Sequence, residues 1–321
     1  MMIENKVQTG IISLIGNTPL IALEHFSKNF SFDVFGKLEM MNPGKSLKDR
    51  SSLKIIEDAL DKGLINQKTT IIESTSGNMG IGLARLCAYL KIPLVLVVDP
   101  YINPQVLKIL QLFKAKIVQV TQPDDKGGYL NTRLAKVKEL LHNIKNSFTS
   151  NQYQNPNNPL SHTKTFDEIV ETLGKAPDYM FVPTSTCGTL MGMAAQIKKG
   201  NYATKLIAVD ALGSVIFGTP AQKRQIPGMG ASCPSHFLNR DLVPHVVHMS
   251  DKESIAGCYK LLDKESILAG GSAGAVVGAI EKFAPQIEKD ATVVALICDD
   301  GERYLDTIYN EDWVSNILLK S

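Results

Sequence analysis

Short runs of aliphatic and β-branched residues alternate with longer segments of helical period along most of this chain. The strands that this pattern predicts most clearly are Thr70–Glu73, Leu94–Val98, Lys116–Val120, Tyr179–Val182, Leu206–Val209 and Thr292–Ile297. Their near-continuous Val, Ile and Leu content is typical of strands that helices cover on both faces. The alternation therefore predicts an α/β protein in which βαβ units build mostly parallel sheets.

The segments between these strands contain amphipathic helices. The helical period is clearest over Leu47–Lys62, Asn131–Asn143 and Lys252–Asp263, and Gly63 suits a left-handed cap at the end of the first. By contrast, Asn151–Pro159 combines turn-forming residues with two prolines, so we expect neither helix nor strand there. This loop is the best candidate for a crossing between two domains.

Length and charge limit the classes of function. The 321 residues leave room for roughly two domains of about 150 residues each. The 34 Lys and Arg residues nearly balance the 32 Asp and Glu residues, and a net charge of +2 creates no field that would hold nucleic acid or an anionic membrane. No stretch approaches the roughly 20 apolar residues of a membrane span. We therefore expect small molecules or another copy of the chain as partners.

Cysteine and histidine residues indicate neither a disulfide framework nor a metal site. The five cysteines are odd in number and widely spaced, and no C-x-x-C pair occurs among them. Reduced thiols of this kind, together with the lack of an apolar signal segment, predict a cytoplasmic protein. His245 and His248 are three positions apart on a predicted strand, so their side chains point to opposite faces and cannot share one metal ion.

Glycine and hydroxyl residues cluster at three predicted starts of helices. These junctions are Glu73–Gly80, Pro183–Thr189 and Gly270–Ala275. Backbone N–H groups and the helix macrodipole make such a junction a receptor for carboxylates or phosphates. Each junction alone is weak evidence, because these residues more often serve only as helix caps. Three in one chain favour a ligand site.

Known nucleotide motifs do not match these junctions. Gly77, Gly80 and Gly82 follow the order G-x-x-G-x-G, which reverses the dinucleotide fingerprint. Gly44-Lys45-Ser46 resembles the end of a P-loop, but Glu39 occupies the position where the first glycine is required. A dehydrogenase or another nucleotide-dependent enzyme is therefore disfavoured.

A family resemblance begins at Lys37–Arg50, KLEMMNPGKSLKDR, which resembles the cofactor-lysine segment of the cysteine synthase and cystathionine β-synthase family. Members of this family use pyridoxal 5′-phosphate (PLP). Further family motifs follow the same order along the chain: Gly16–Leu20, the Ser/Thr loop ending in Asn78, the Gln152 loop, Pro227–Gly230, Ser272 and Gly301–Tyr304. The siderophore branch, which makes N-(2-amino-2-carboxyethyl)-L-glutamate as a precursor of 2,3-diaminopropionate, is most similar over Gly127–Leu130, Thr132–Arg133 and Asp210–Gly218.

The resemblance implies a two-domain fold similar to that of the tryptophan synthase β subunit. Each domain would contain a twisted, mostly parallel sheet flanked by helices. We expect a smaller, mobile domain at residues 43–155 and a larger cofactor-binding domain at residues 1–42 plus 156–321. The smaller domain would close over the substrate and exclude water. The family also implies a twofold-symmetric homodimer.

The catalytic residue that the resemblance implies is Lys48, which would form the Schiff base with the cofactor. An aldehyde cofactor needs an amine whose pKa is lowered by desolvation, and lysine supplies one that can swing between cofactor and substrate. Taken without the surrounding motif, Lys48 beside Asp49 and Arg50 would instead be interpreted as a solvated helix lysine.

The resemblance also assigns cofactor contacts. Asn78 would bond the ring oxygen, Ser272 would face the pyridine nitrogen, and the phosphate loop would comprise Ser185, Thr186, Cys187, Gly188 and Thr189. The family loop usually contains Gly-Thr-Gly-Gly-Thr, so Cys187 departs from it, and we expect a small filler there rather than a nucleophile. A hydroxyl at Ser272 leaves the ring largely neutral, which favours prompt loss of a β-leaving group.

Substrate contacts follow in the same way. The residues assigned to the amino-acid substrate are Ser74, Thr75, Ser76, Gln152, Arg133, Tyr153 and Ser185. Thr75, Ser76 and Gln152 match positions that hold the α-carboxylate in the family. Arg133 is the candidate for a phosphate leaving group, because a guanidinium can bond two phosphate oxygens at once, although a solvated helix arginine is nearly as plausible. Tyr153 and Ser185 are secondary candidates for the same pocket.

The implied reaction is a β-replacement through an aminoacrylate. The siderophore branch suggests O-phospho-L-serine as the donor and L-glutamate as the nucleophile. The main alternative is a cysteine synthase, which would combine O-acetylserine or O-phosphoserine with sulfide. A non-catalytic PLP-binding homologue is a distant alternative, since Lys48 is present.

Overall fold

The computed structural model describes residues 9–124 and 127–318, and two β-sheets form its frame. The strands in these residues are β1 Leu20–Ala22, β2 Asp33–Leu38, β3 Thr70–Ser74, β4 Leu94–Val98, β5 Lys116–Gln119, β6 Ser147–Thr149, β7 Tyr179–Pro183, β8 Lys205–Ala211, β9 His245–Met249 and β10 Thr292–Ile297. The helices are α1 Glu24–Ser27, α2 Lys48–Asp61, α3 Asn78–Leu90, α4 Pro104–Leu112, α5 Leu130–Asn143, α6 Asn157–Ser161, α7 Thr163–Leu173, α8 Gly188–Lys199, α9 Asp251–Glu265, α10 Gly271–Phe283 and α11 Glu311–Leu318.

The larger sheet has six strands in the order β1-β2-β10-β7-β8-β9. All neighbours pair in parallel except β1, which runs antiparallel to β2. Alternate residues of the central strand β10 enter different cores: Val293 packs with α10 residues, whereas Val294 packs with Phe166 of α7 and Leu190 of α8. Helices therefore cover both faces, which explains why β10 is apolar at nearly every position.

The smaller sheet has four parallel strands in the order β5-β4-β3-β6. Its central strands also face two cores, because Ile71 packs among residues of α2 and α3 while Ile72 packs against Val137 of α5. All four strands lie within the predicted range 43–155. The structure thus has the two-domain α/β architecture, and the division at residues 43 and 155 stays a prediction.

The predicted loop Asn151–Pro159 is only partly a loop. The chain does cross there from β6 in the smaller sheet to β7 in the larger one, but Asn157–Ser161 forms the short helix α6. The prediction was wrong for these residues because Pro159 lies in the first turn of the helix, where no backbone N–H needs to donate. Asn157 Nδ2 donates to Asp58 Oδ2 at 2.9 Å and Asn158 Nδ2 donates to the Gln152 carbonyl at 2.7 Å, and these bonds hold the short helix in place.

None of the helices in the described part of the chain is both long and apolar enough to cross a lipid bilayer.

Candidate active site

A cavity of about 280 Å³ lies where the carboxyl ends of strands from both sheets meet. Its walls include Thr75 after β3, Asp99 after β4, Ser185 after β7 and Cys298 after β10. Parallel α/β sheets place ligand-binding loops at this edge, because the helix that follows each strand begins there.

The cavity brings together almost all the side chains that the sequence predicts for the site. The lining includes Lys48, Thr75, Ser76, Asn78, Arg133, Gln152, Tyr153, Ser185, Thr186, Cys187, Gly188, Thr189 and Ser272. Ser74 is the exception, because it is the buried last residue of β3 and is absent from the cavity wall. Its carbonyl oxygen accepts a hydrogen bond from Gln152 Nε2 at 3.2 Å, so Ser74 contacts the site through its backbone.

Lys48 is the first residue of α2, and the end of β10 determines its position. The Leu47 N–H donates to the Cys298 carbonyl at 2.9 Å, and Ser46 forms a β-bridge with Asp299. Burial lowers the pKa of Lys48, against the opposing negative charge of Asp299. Within the described residues the Lys48 side chain has no hydrogen bond or ion pair. The Lys48 side chain is thus partly exposed in the cavity, while its amine is desolvated and free to react.

A buried network of four charges fixes the first turn of α2. The Arg50 guanidinium bonds Glu39 at 2.7 and 2.8 Å and Glu168 at 2.6 Å, and Lys37 bonds Glu168 at 2.6 Å. Two cations and two carboxylates balance one another. Although burial opposes the effect, Arg50 and Lys37 lower the pKa of Glu168 to about 2. Arg50 lies two residues after Lys48, so the network constrains the backbone that carries the lysine.

The loop before α8 forms a compact receptor for an anion. Gly188 is the first residue of α8, and an added Cβ there would lie only 2.3 Å from Asn158 Oδ1. Cys187 precedes it with a left-handed φ of 64°. Burial raises the pKa of the Cys187 thiol to about 12, so it is neutral and unreactive near neutral pH. Thr186, Gly188 and Thr189 line the cavity at the start of α8, and hydroxyls and free N–H groups at a helix start are suited to a phosphate group.

Ser272 lies at the start of another helix on the same cavity. It is the second residue of α10 and is only 7% exposed, so its hydroxyl enters a site largely shielded from water. Together, a buried amine, an anion receptor at a helix start and a hydroxyl at a second helix start fit an aldehyde cofactor that carries a phosphate and a ring nitrogen.

Comparison with known families identifies the family and the cofactor. Residues 11–299 match the model of the family described as pyridoxal-phosphate dependent enzyme. The chain belongs to this family. When bound, PLP supplies an electron sink that makes the α-proton of an amino acid acidic. The predictions of PLP as cofactor and of a PLP-dependent enzyme are therefore confirmed.

Solved structures agree with this assignment. A hydrogen sulfide-producing enzyme from Fusobacterium nucleatum is 32% identical, with a TM-score of 0.87 over 93% of this chain and 100% of that one. An O-acetylserine-dependent cystathionine β-synthase from Helicobacter pylori is 29% identical, with a TM-score of 0.86 over 95% and 100%. O-ureido-L-serine synthase is 28% identical, with a TM-score of 0.85 over 98% and 100%. The tryptophan synthase β-like fold is confirmed, and the enzyme belongs among those that catalyse β-elimination and β-replacement.

Two acidic residues of this PLP enzyme's cavity, Asp99 and Asp299, were not predicted from the sequence. Asp299 is buried, and its Oδ2 accepts hydrogen bonds from Asn78 Nδ2 at 2.8 Å and the Tyr304 hydroxyl at 2.6 Å. Arg303 Nη1 donates to Asn78 Oδ1. The Asn78 amide therefore lies between a cation and a carboxylate, which fixes which of its ends donates.

Asp99 lines the cavity beside Arg133. Arg133 Nη1 donates to Ser76 Oγ at 2.9 Å and lies 3.3 Å from Asp99 Oδ2, and its side chain is only 13% exposed. The Ser76 hydroxyl in turn donates to Asp99 Oδ2 at 2.9 Å. A position directly after a buried strand was the only sequence signal for Asp99, and turn-forming Asp residues share that signal.

Proposed function

We propose that this enzyme carries out β-replacement on O-phospho-L-serine with L-glutamate as the nucleophile. The product would be N-(2-amino-2-carboxyethyl)-L-glutamate, a precursor of diaminopropionate for siderophore biosynthesis. The observation that carries the proposal is the guanidinium of Arg133, which lines the same cavity as Lys48.

A fixed cation suits a phosphate leaving group. A phosphate ester carries about −1.5 to −2 charges near neutral pH, whereas an acetyl ester is neutral before it leaves. Arg133 extends from α5 to the cavity wall, where its side chain is largely shielded from water and its Nη1 donates a hydrogen bond to Ser76. From there a guanidinium can donate two parallel hydrogen bonds to phosphate oxygens. Ser185 and Tyr153 line the same cavity, and burial raises the pKa of Tyr153 to about 12, so its hydroxyl stays a hydrogen-bond donor.

The remaining roles follow from the positions of the side chains. Lys48, as a buried amine, would take the α-proton and later return it. Thr75, Ser76 and Gln152 would hold the α-carboxylate near the start of α3. Residues 43–155 would close over the bound donor and exclude water from the reacting carbon.

Cysteine synthase chemistry is the second candidate. Two of the similar structures are a hydrogen sulfide-producing enzyme and an O-acetylserine-dependent enzyme. The charge of Arg133 is also partly balanced by Asp99 before any substrate binds, which weakens its preference for a dianion. A non-catalytic PLP-binding role is less well supported, since Lys48 is present and lines the cavity with a desolvated amine.

Assembly and location belong to the same proposal. A twofold-symmetric homodimer is supported by the family resemblance alone. A cytoplasmic location is supported by the cysteines, because Cys87, Cys187, Cys233, Cys258 and Cys298 are all free thiols in the structure.

Replacement of Arg133 tests the proposal. Arg133→Ala removes a charge-assisted contact to phosphate, so kcat/KM for O-phosphoserine should fall roughly 30- to 150-fold. This corresponds to a loss of about 2–3 kcal/mol of transition-state stabilisation. The value for O-acetylserine should change far less. Steady-state assays with both donors, each paired with glutamate and with sulfide, measure this.

The matched control is Arg240→Ala, which removes an exposed arginine that stacks on Phe217. It should leave both donors unaffected. The opposite outcome would be product only with sulfide as the nucleophile, a preference for O-acetylserine and no effect of Arg133→Ala. That outcome would mean that the enzyme is a cysteine synthase.

A further inference from the structure

Asp99 presents a carboxylate to the cavity next to Arg133. It follows Val98, the last residue of β4. Its Oδ1 accepts the Tyr101 N–H at 2.9 Å, and its Oδ2 accepts the Ser76 hydroxyl at 2.9 Å. These contacts hold the carboxylate in one orientation, with 12% of the side chain still exposed.

The other carboxylate among the described residues of the cavity wall, that of Asp299, is more deeply buried, and its Oδ1 has no hydrogen-bond partner. Asp299 Oδ2 accepts from Asn78 and Tyr304. Its Oδ1 lies so close to Gly270 that a Cβ on Gly270 would be 2.1 Å away. The whole residue is 3% exposed, compared with 9% for Asp99. Asp99 is therefore the carboxylate that a second substrate can reach.

Asp99 and Arg133 together present opposite charges 3.3 Å apart. The ammonium and carboxylate of an α-amino acid are also opposite charges, held on a single carbon atom. Once the phosphate has left Arg133, the guanidinium can bind the α-carboxylate of the amino acid and the Asp99 carboxylate can bind its ammonium. Sulfide has neither charge arrangement and gains nothing from it.

We propose that Asp99 is the receptor for the α-ammonium group of the incoming amino acid and takes the proton that this group loses. The inference rests on the proposed amine nucleophile. The ammonium gives one proton to the Asp99 carboxylate, and the freed nitrogen lone pair forms the C–N bond to the β-carbon. The C–O bond to phosphate has already broken with its electron pair on oxygen, which leaves a double bond between the α- and β-carbons. As the C–N bond forms, the π pair of that double bond moves to the α-carbon, which takes back the proton held by Lys48. The new nitrogen is a secondary ammonium, and Asp99 passes its proton to solvent.

The variant Asp99→Asn tests this role, because an amide keeps an oxygen to accept the Tyr101 N–H but cannot take a proton. Rapid mixing gives two rates: phosphate release from O-phosphoserine, and formation of the C–N product when glutamate follows. The ratio of the second rate to the first should fall roughly 100-fold, the size expected for loss of a charged contact. The control Asp61→Asn, at the exposed end of α2, should leave the ratio unchanged.

Glutarate provides a second, binding-based measurement. It carries the same two carboxylates as glutamate but lacks the α-ammonium. Competition experiments on the holoenzyme should show that Asp99→Asn weakens the binding of glutamate at least tenfold more than the binding of glutarate. Asp99→Glu should restore part of this difference in binding.

Two results would overturn the inference. If phosphate release and C–N bond formation slow equally, so that their ratio stays constant, Asp99 only holds Arg133 in place. If both rates stay at their wild-type values, Asp99 has no role in either step. Failure of the proposed function is separate, because the wild-type enzyme would then form no C–N product with glutamate, whatever its rate of phosphate release.

Discussion

A lysine amine reacts with an aldehyde only in its neutral form, and the burial of Lys48 lowers its pKa toward that form. We predict that Lys48→Ala abolishes the visible absorbance of the bound cofactor while the protein stays folded. Absorbance spectra and far-UV circular dichroism of the purified variant check both points. Lys62→Ala, which removes a side chain that is 62% exposed at the end of α2, is the control and should remain coloured. Wild-type protein that is colourless and takes up no added cofactor would contradict the assignment.

Ser272 offers a second test on a single side chain. Its hydroxyl is predicted to leave the pyridine nitrogen largely unprotonated, whereas a carboxylate would keep it protonated. Ser272→Asp should therefore retain cofactor but slow loss of the β-substituent, by the roughly 10²-fold that misplaced electrostatics often cost. Single-turnover absorbance measures that step. Ser272→Ala separates loss of the hydroxyl from gain of the charge, and turnover of Ser272→Asp at the wild-type rate would show that other groups tune the ring.

At the scale of helices and strands, the ion network beneath α2 sets stability and its dependence on pH. Glu168→Gln leaves Arg50 and Lys37 short of one carboxylate in a buried setting. Removal of one partner from a buried ion pair lowers the free energy of unfolding by about 3–5 kcal/mol. We expect about 3 kcal/mol here because the Glu168 side chain is 13% exposed. Urea unfolding at neutral pH measures the loss, and Glu171→Gln on the exposed side of α7 is the control.

The sign of the pH effect follows from the lowered pKa of Glu168. A carboxyl with a pKa of about 2 in the folded state and about 4.3 when unfolded stabilises the protein above the unfolded value. That contribution disappears as pH falls from about 4.3 toward 2. The difference in unfolding free energy between wild type and Glu168→Gln should therefore shrink over the same range. A constant difference down to pH 3 would show that the network does not depend on the Glu168 charge.

Sequence patterns predict the buried strands well and the polar network not at all. Val293 and its neighbours in β10 are apolar because both faces are covered, and this leaves a signal in consecutive residues. Glu39 and Arg50 instead meet Glu168 across more than a hundred positions of sequence. Isolated charges are normally solvated, so nothing in their local sequence distinguishes them. Asp99 was not predicted because turn-forming Asp residues share its position directly after a buried strand.

The family motifs, by contrast, predict most of the cavity wall. Lys48, Asn78 and Ser272 come from three distant segments, yet all three line one cavity. Hydrophobic periodicity carries no information about which loops meet, and the order of the motifs along the chain supplies it. Among the residues predicted for the site, Ser74 alone does not line the cavity.

At the scale of the whole molecule, the cavity lies at the junction between the two sheets, and one arginine joins both sides of it. Arg303 donates to the Gly44 carbonyl and to Asn78, and its own carbonyl accepts from Asn103 Nδ2 at 2.8 Å. Asn78 and Asn103 precede or begin helices of the smaller sheet's domain. These bonds link the larger sheet's side of the cavity to residues within the predicted range 43–155.

The predicted homodimer also belongs to this scale. The outer edge of β1 has no strand partner in the described residues, and nearby apolar side chains are exposed: Ile11 at 37%, Leu14 at 50% and Ile21 at 37%. Unpaired edges and exposed apolar side chains favour association, and a net charge of +2 opposes it little. We therefore expect the partner to cover the segment from Ile11 to Ile21. Light scattering at micromolar concentration should give twice the 35.1 kDa of one chain. Leu14→Glu should shift the protein toward monomer, whereas Leu112→Glu, which changes a leucine that is 80% exposed at the end of α4, should not. A 35.1 kDa species for the wild type would refute the dimer, and equal effects of the two variants would place the interface elsewhere.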